Sequence, residues 1–193
     1  MQSSDMRFPP RSSVCLNDDH VAIRPFPSAD AHPIFEAVRE SRAEVDPWLP
    51  DLGAARSISA VSAYLDRQPD AWASGDAYNF AILDHHTGGF LGGCGLTQIN
   101  RRHRFANMYY WVRTGQTKRG VATRAVRLLA RFGCETLALQ RIEIVAPVGH
   151  AASLRVAEKA GAFREGILRN RVILHDTVHD AVMFSFVQHD LDK

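Results

Sequence analysis

A chain of 193 residues is long enough for one domain with a real core and short for two. Its 46% hydrophobic content and net charge of +2 describe an ordinary globular protein, and so small a charge does not by itself imply nucleic acid. No apolar run approaches the roughly 18 residues that span a bilayer. Cys15, Cys94 and Cys134 are odd in number, far apart and without a CxxC, which argues against a disulfide framework and a zinc site.

In chain order, residues 1–18 are polar and proline-bearing and read as a loose, flexible N-terminal arm, without the apolar stretch of a secretory signal. A cytoplasmic protein is the expectation, with one domain over 19–190. Residues 21–26 read as a strand. Ser28 or Asp30 is placed to cap a helix over 31–41, where Ile34, Phe35 and Val38 share a face. Trp48 lies between Pro47 and Pro50 and must sit in a loop. A second helix starts at Ser57, with Ile58, Val61, Tyr64, Leu65 and Trp72 at helical spacing and Pro69 threatening its C-terminal end.

Residues 78–83 and 90–99 read as a hairpin, and Gly92-Gly93 inside its second strand suggests a bulge or close approach of another backbone. A basic turn, Arg101-Arg102-His103-Arg104, leads into a strand over 105–113. The helix after Gly120 carries Val121, Ala125, Leu128, Leu129 and Phe132 on one face. A short apolar strand over 141–146, a helix over 153–161 and a hairpin of 163–174 with 178–188 close the chain. Strand–helix–strand over 105–146 implies a parallel pair, and the tight turns elsewhere imply antiparallel pairing. The fold class is therefore α/β (α+β): a mixed, mostly antiparallel sheet of about seven strands with helices on both faces.

The stretch from Tyr109 to Thr123 runs from an aromatic strand, through a turn with two cations, into a helix start. The first turn of a helix offers unpaired N–H groups and the positive end of the dipole, and Gly120 and Ala122 let a diphosphate approach them closely.

Tyr110-Trp111-Val112, Arg119-Gly120-Val121-Ala122-Thr123, Arg141-Ile142-Glu143, the run from Ser153 to Gly161, and Glu165-Gly166 together resemble the GCN5-related N-acetyltransferases (GNAT), most nearly their RimJ/RimL type. The resemblance implies acetyl-CoA as cosubstrate, no metal, and a central parallel pair, the fourth and fifth strands, splayed to admit the pantetheine arm. It implies that Lys118, Arg119, Gly120, Val121, Ala122 and Thr123 hold the diphosphate, with Thr117 departing from the family's Gln or Arg. It gives the backbone of Trp111, Val112 and Arg113 to the arm, with Val112 or Arg113 N–H as oxyanion donor. His150 stands where the family often has an arm-contacting asparagine. Ser153 matches the donor to the leaving thiolate, although a serine there also suits an ordinary helix cap. Trp48 is implied as a wall of the acceptor pocket, with plain packing as the alternative, and Arg169 and Arg171, two apart on one strand, should share a face and contact the acceptor or the coenzyme's phosphates. The expected partners are acetyl-CoA and an amine acceptor such as a protein N-terminus, with a homodimer allowed and neither a membrane nor direct nucleic-acid contact.

Acetyl transfer needs a neutral amine. An α-amino group titrates near about 8 and lysine near about 10.4, so at pH 7 about a tenth of the former is neutral and only a few ten-thousandths of the latter. An N-terminal acceptor thus needs a much weaker base. Asn107 stands where many relatives have a glutamate and can only position the amine or a water. The resemblance to the RimL type implies Glu165 as the general base, with a solvent-facing strand glutamate as the alternative. The acceptor expected is a protein N-terminal α-amine, with a small amine (aminoglycoside, polyamine or amino acid) or a non-catalytic coenzyme-sensing or ribosome-binding module as the alternatives. His175, Asp176, His179 and Asp180 have metal-like spacing but straddle a turn, where exposed turn residues are the simpler reading, with Asp180 bonding nearby backbone.

Overall fold

The computed structural model describes residues 9–53 and 55–192. Of the stretch expected as a loose arm, residues 1–8 lie outside that range. The rest is tied down: β1 (Leu16–Asn17) pairs antiparallel with β2 (Val21–Pro25), and the Trp72 indole donates to the Pro9 carbonyl at 2.9 Å. The strands β3 (Tyr78–Asp84), β4 (Phe90–Asn100), β5 (Phe105–Val112), β6 (Arg141–Pro147), β7 (Phe163–Leu174) and β8 (Thr177–Phe186) follow. All eight form one sheet in the order β1-β2-β3-β4-β5-β6-β8-β7. The extra strand beyond seven is β1. Every pairing is antiparallel except β5 with β6.

On the first face, α1 (Ala31–Val45) and α3 (Ile58–Asp66) bury Ile34, Val38, Val61 and Leu65 against Ala81, Leu83 and Trp111. On the second, α5 (Val121–Arg131) and α6 (Ala151–Ala160) bury Val121, Ala125, Leu129 and Ala157 against Phe80, Leu96, Met108, Ile144 and Phe184. Ser57 caps α3, accepting from the Ala60 N–H at 3.1 Å. Asp30 does not cap α1; its carboxylate pairs with Arg24 at 3.0 Å. Pro69 does not end the second helix but opens another. The chain breaks at Arg67 and α4 (Gln68–Ser74) takes Pro69 in its first turn, where a missing N–H costs nothing.

Gly92-Gly93 carries both expected features. The register between β3 and β4 shifts beside Gly92, and a methyl group at Gly92 would fall 2.2 Å from the Trp111 carbonyl oxygen. The edge strand β7 is broken by register shifts at Arg164/Gly166 and Leu168/Val172, with Asn170 at φ 52°. Bulges and exposed arginines are common guards of a free edge.

Candidate active site

The site starts where a pairing stops. β5 and β6 match Phe105 with Arg141, Ala106 with Ile142 and Asn107 with Glu143, and no further. Beyond Asn107 and Glu143 the strands part, so Met108 to Val112 face Ile144 to Pro147 across a gap. β6 stays bound to β8 as far as Pro147, and β5 to β4 as far as Val112, so both walls of the gap are held from outside. The Arg113 N–H donates to the Leu91 carbonyl at 2.8 Å. Backbone groups alternate sides along a strand, so Tyr110 and Val112 turn theirs towards the gap. The Arg113 N–H is therefore spent on β4, whereas that of Val112 faces the gap.

The turn after β5 is braced from α1. The Glu40 carboxylate accepts from Arg113 Nε at 2.6 Å and from the Gly115 N–H at 3.2 Å, and the buried Ser41 hydroxyl accepts from the Thr114 N–H at 2.9 Å. Arg113 in turn holds the Glu40 carboxyl below its usual range. Lys118, Arg119 and Gly120 are exposed ahead of α5, with Lys118 at φ 63° and Gly120, the residue before the first turn, at φ 80°. The N–H groups of Val121, Ala122 and Thr123 belong to that first turn, where no intrahelical partner exists. Arg124, one turn on, forms an ion pair with Asp18 at 3.0 Å.

Strand alternation separates the two halves of the site. Ala106, Met108, Tyr110 and Val112 pack on the α5/α6 side, whereas Tyr109 and Trp111 pack on the α1/α3 side, which is also the side of Asn107. Ser153 belongs to the first side. It is the third residue of α6, which starts at Ala151 with His150 before it, so Ser153 is not the helix cap. Its hydroxyl lies 3.0 Å from the Tyr110 hydroxyl, whose own pKa burial pushes up to about 12. Tyr110 was legible only as part of a motif.

Glu165 is held by two side chains. Arg141 grips both of its carboxylate oxygens, one at 2.7 Å, and the Ser185 hydroxyl donates to it at 2.6 Å. These bonds stabilise the ionised form and hold its pKa below the usual carboxylate range. Arg141 also donates from Nε to Glu143 at 2.8 Å. The partner of Asn107 across the strand pair is thus a carboxylate already sharing a guanidinium.

Trp48 and His150, expected separately for acceptor and coenzyme, form one wall. Their rings stack at 4.3 Å and 4°, and burial lowers the His150 pKa, which favours the neutral ring. The Asp46 carbonyl lies 3.0 Å from His175 Nε2, which pins the Trp48 loop to the β7–β8 turn. Asp180 lies within β8 and its carboxylate accepts from the Asn170 N–H of β7 at 2.8 Å, the nearby-backbone bond expected of it. Arg169 is exposed on β7, and with Asn170 in the left-handed region the period-two rule does not carry from Arg169 to Arg171. In the basic turn, Arg101 bonds Ser74 and Asp76. Among the described residues no group of three or more His, Cys, Asp or Glu could hold a metal ion, and no helix is long and apolar enough to cross a membrane.

An acetyltransferase (GNAT) domain model matches residues 20–162. YdaF of Bacillus subtilis (strain 168), named as a candidate ribosomal N-acetyltransferase, is 26% identical over 181 residues, covering 92% of this chain and 96% of YdaF. Two solved structures share the fold. The ribosomal-protein-S5-alanine acetyltransferase of Vibrio fischeri superposes with a TM-score of 0.83 at 19% identity, covering 93% of this chain and 99% of that one. RimJ of Mycobacterium smegmatis, solved with a CoA-disulfide, gives 0.82 at 21% identity, covering 90% and 84%. The chain belongs to the GNAT family of acetyltransferases and is an acyltransferase whose cosubstrate is acetyl-CoA.

Proposed function

We propose that this enzyme, acting in the cytoplasm, acetylates a protein N-terminal α-amine; its YdaF relative is named for ribosomal N-acetyl transfer. One observation carries the reading: Glu165, the carboxylate expected to act as base, is held ionised and occupied by Arg141 and Ser185. Asn107 accepts no proton, and Glu143 shares the same guanidinium. A site so poor in base suits an amine that is about a tenth neutral at pH 7, and suits lysine badly by roughly 3 kcal/mol of deprotonation work.

In this reading the diphosphate lies on the N–H groups of Gly120 to Thr123, with Lys118 and Arg119 beside it, and the arm enters the gap along Val112. The amine arrives from the α1/α3 side, past the Trp48–His150 wall and Asn107, and attacks the thioester carbonyl directly. The Val112 N–H bonds the developing oxyanion. The thiolate leaves on the Ser153 side. Glu165 is a structural partner of Arg141.

A thiol-release screen tests the acceptor. Peptides with free N-termini should turn over, while N-acetylated peptides carrying lysine, aminoglycosides and polyamines should stay at background. Turnover of lysine peptides or small amines alone would overturn the reading.

The structural role of Glu165 makes its own prediction. Glu165→Gln should leave kcat within about twofold and cost about 1 kcal/mol of stability at neutral pH. Because the folded pKa is lowered, the ionised carboxylate stabilises the fold above the unfolded carboxyl range, and that contribution is lost as pH falls through the folded value. Thermal melts between pH 7 and pH 3 should therefore show a flatter acid limb in the variant. A kcat collapse with normal melts would return Glu165 to the role of base.

A further inference from the structure

We infer that Tyr110 is a positioning residue for Ser153, donating its phenolic proton to the serine oxygen so that the serine proton points into the gap at the leaving sulfur. The inference rests on the coenzyme arm occupying that gap.

Two contacts define the arrangement. The Tyr110 hydroxyl lies 3.0 Å from Ser153 Oγ and 3.1 Å from the Ser153 carbonyl oxygen. A phenol has one proton to give and a serine hydroxyl has one. If Tyr110 gives its proton to the carbonyl, Ser153 must turn its own back to Tyr110, and nothing on the pair faces the gap. The carbonyl has little need of it. Ser153 sits inside α6, where its carbonyl accepts from the N–H of Ala157. With the tyrosine proton on Oγ instead, Ser153 accepts from one side and donates on the other. Its oxygen becomes a better donor because it is itself hydrogen-bonded.

Burial keeps the phenol protonated across the working pH range, so Tyr110 retains the proton this arrangement needs. The elements place the pair correctly as well. Tyr110 comes from the α5/α6 side of β5, within the unpaired stretch that lines the gap, and Ser153 from the first turn of α6.

The chemistry balances without a proton from Tyr110. The amine lone pair forms the N–C bond, the C–S bond pair moves to sulfur, and the nitrogen releases a proton to solvent. Ser153 donates a hydrogen bond to the charge growing on sulfur, and the released thiolate takes its proton from solvent. Tyr110 only fixes which way the serine proton points.

Bound CoA allows a test that needs no acceptor. The thiolate is the form that alkylates, so a donor at sulfur raises the reaction of protein-bound CoA with iodoacetamide, read as the mass of the CoA adduct at pH 7.5. Ser153→Ala should slow that adduct about tenfold and Tyr110→Phe about threefold, with CoA affinity by calorimetry unchanged in both. The double variant should be no slower than Ser153→Ala alone, because Tyr110 acts only through Ser153. Turnover with an accepted peptide should fall in kcat and not in KM. A Tyr110→Phe protein that binds CoA normally and alkylates at the wild-type rate, or a double variant whose effects add, would overturn the inference. Failure of the gap placement reads differently: CoA affinity would then be insensitive to Gly120→Glu, whatever Tyr110 does.

Discussion

Gly120→Glu is expected to lower acetyl-CoA affinity by at least about 100-fold, which is about 2.8 kcal/mol, while the protein stays folded. The reasons for the two halves differ. Gly120 sits at φ 80°, where an L-residue costs about 1–2 kcal/mol. A side chain meets no steric obstacle there, since the nearest atom to a Cβ is Arg124 Nε at 4.0 Å. A carboxylate just ahead of α5 is also favourable to the helix, because it faces the unpaired N–H groups and the positive dipole end. The same carboxylate then occupies the place the diphosphate needs and repels it. Gly120→Ala separates strain from charge: it bears the strain but leaves the N–H groups free, so its loss should stay below about tenfold. Calorimetry on both variants checks this. Equal losses would assign the effect to backbone geometry, and unchanged affinity in the glutamate variant would remove the diphosphate from this helix start.

The donor half of the site was legible in the sequence because it is local. A strand, a turn with Gly120 and a helix carrying Val121, Ala125 and Leu129 lie within about 25 consecutive residues, and periodicity reports such segments well. The parallel pair followed from the crossover rule, and Gly92-Gly93 gave away the close approach to β5. The acceptor half was not legible in the same way, because its contacts join distant positions. Nothing in the spacing of Arg141 and Glu165 shows that both oxygens of one are held by the other, since that depends on the register shift at Arg164/Gly166. Trp48 and His150 meet only because the loop after α1 reaches the start of α6. The start of α6 is not marked in the sequence either, because Ala151 and Ala152 extend the helix back beyond Ser153 without any capping side chain. Tyr110 stood in the sequence only as part of a motif, because its partner Ser153 lies 43 residues away.

Gly92→Ala should have the largest effect on the fold and should reach the coenzyme site as well. Gly92 is in register with Val112 across β4 and β5, and the added methyl would lie 2.2 Å from the Trp111 carbonyl oxygen and 2.9 Å from Val112 Cα. Both are backbone atoms, so no rotamer change relieves the clash. β5 must move by roughly an ångström to restore van der Waals contact. On its far side at Trp111 and Val112 the strand has no partner, because pairing with β6 ended at Asn107. It is therefore pushed into the gap that the pantetheine arm needs, and the Arg113 N–H is drawn away from the Leu91 carbonyl. Overpacking against atoms that cannot yield costs about 3 kcal/mol, equivalent to a Tm lower by about 6–12 °C in a chain of this size. Acetyl-CoA affinity should fall at least about tenfold at temperatures where the variant is still folded. Gly161→Ala is the control. It sits at φ 95° after α6 with nothing within 4 Å of the added carbon, so it bears strain alone. That variant should lose about 1–2 kcal/mol of stability and bind acetyl-CoA as the wild type does. If Gly92→Ala instead melted and bound like the wild type, β5 would not be the rigid wall of the gap. If both variants lost affinity in proportion to stability, the coupling between β4 and the coenzyme would be general loosening and not displacement of one strand.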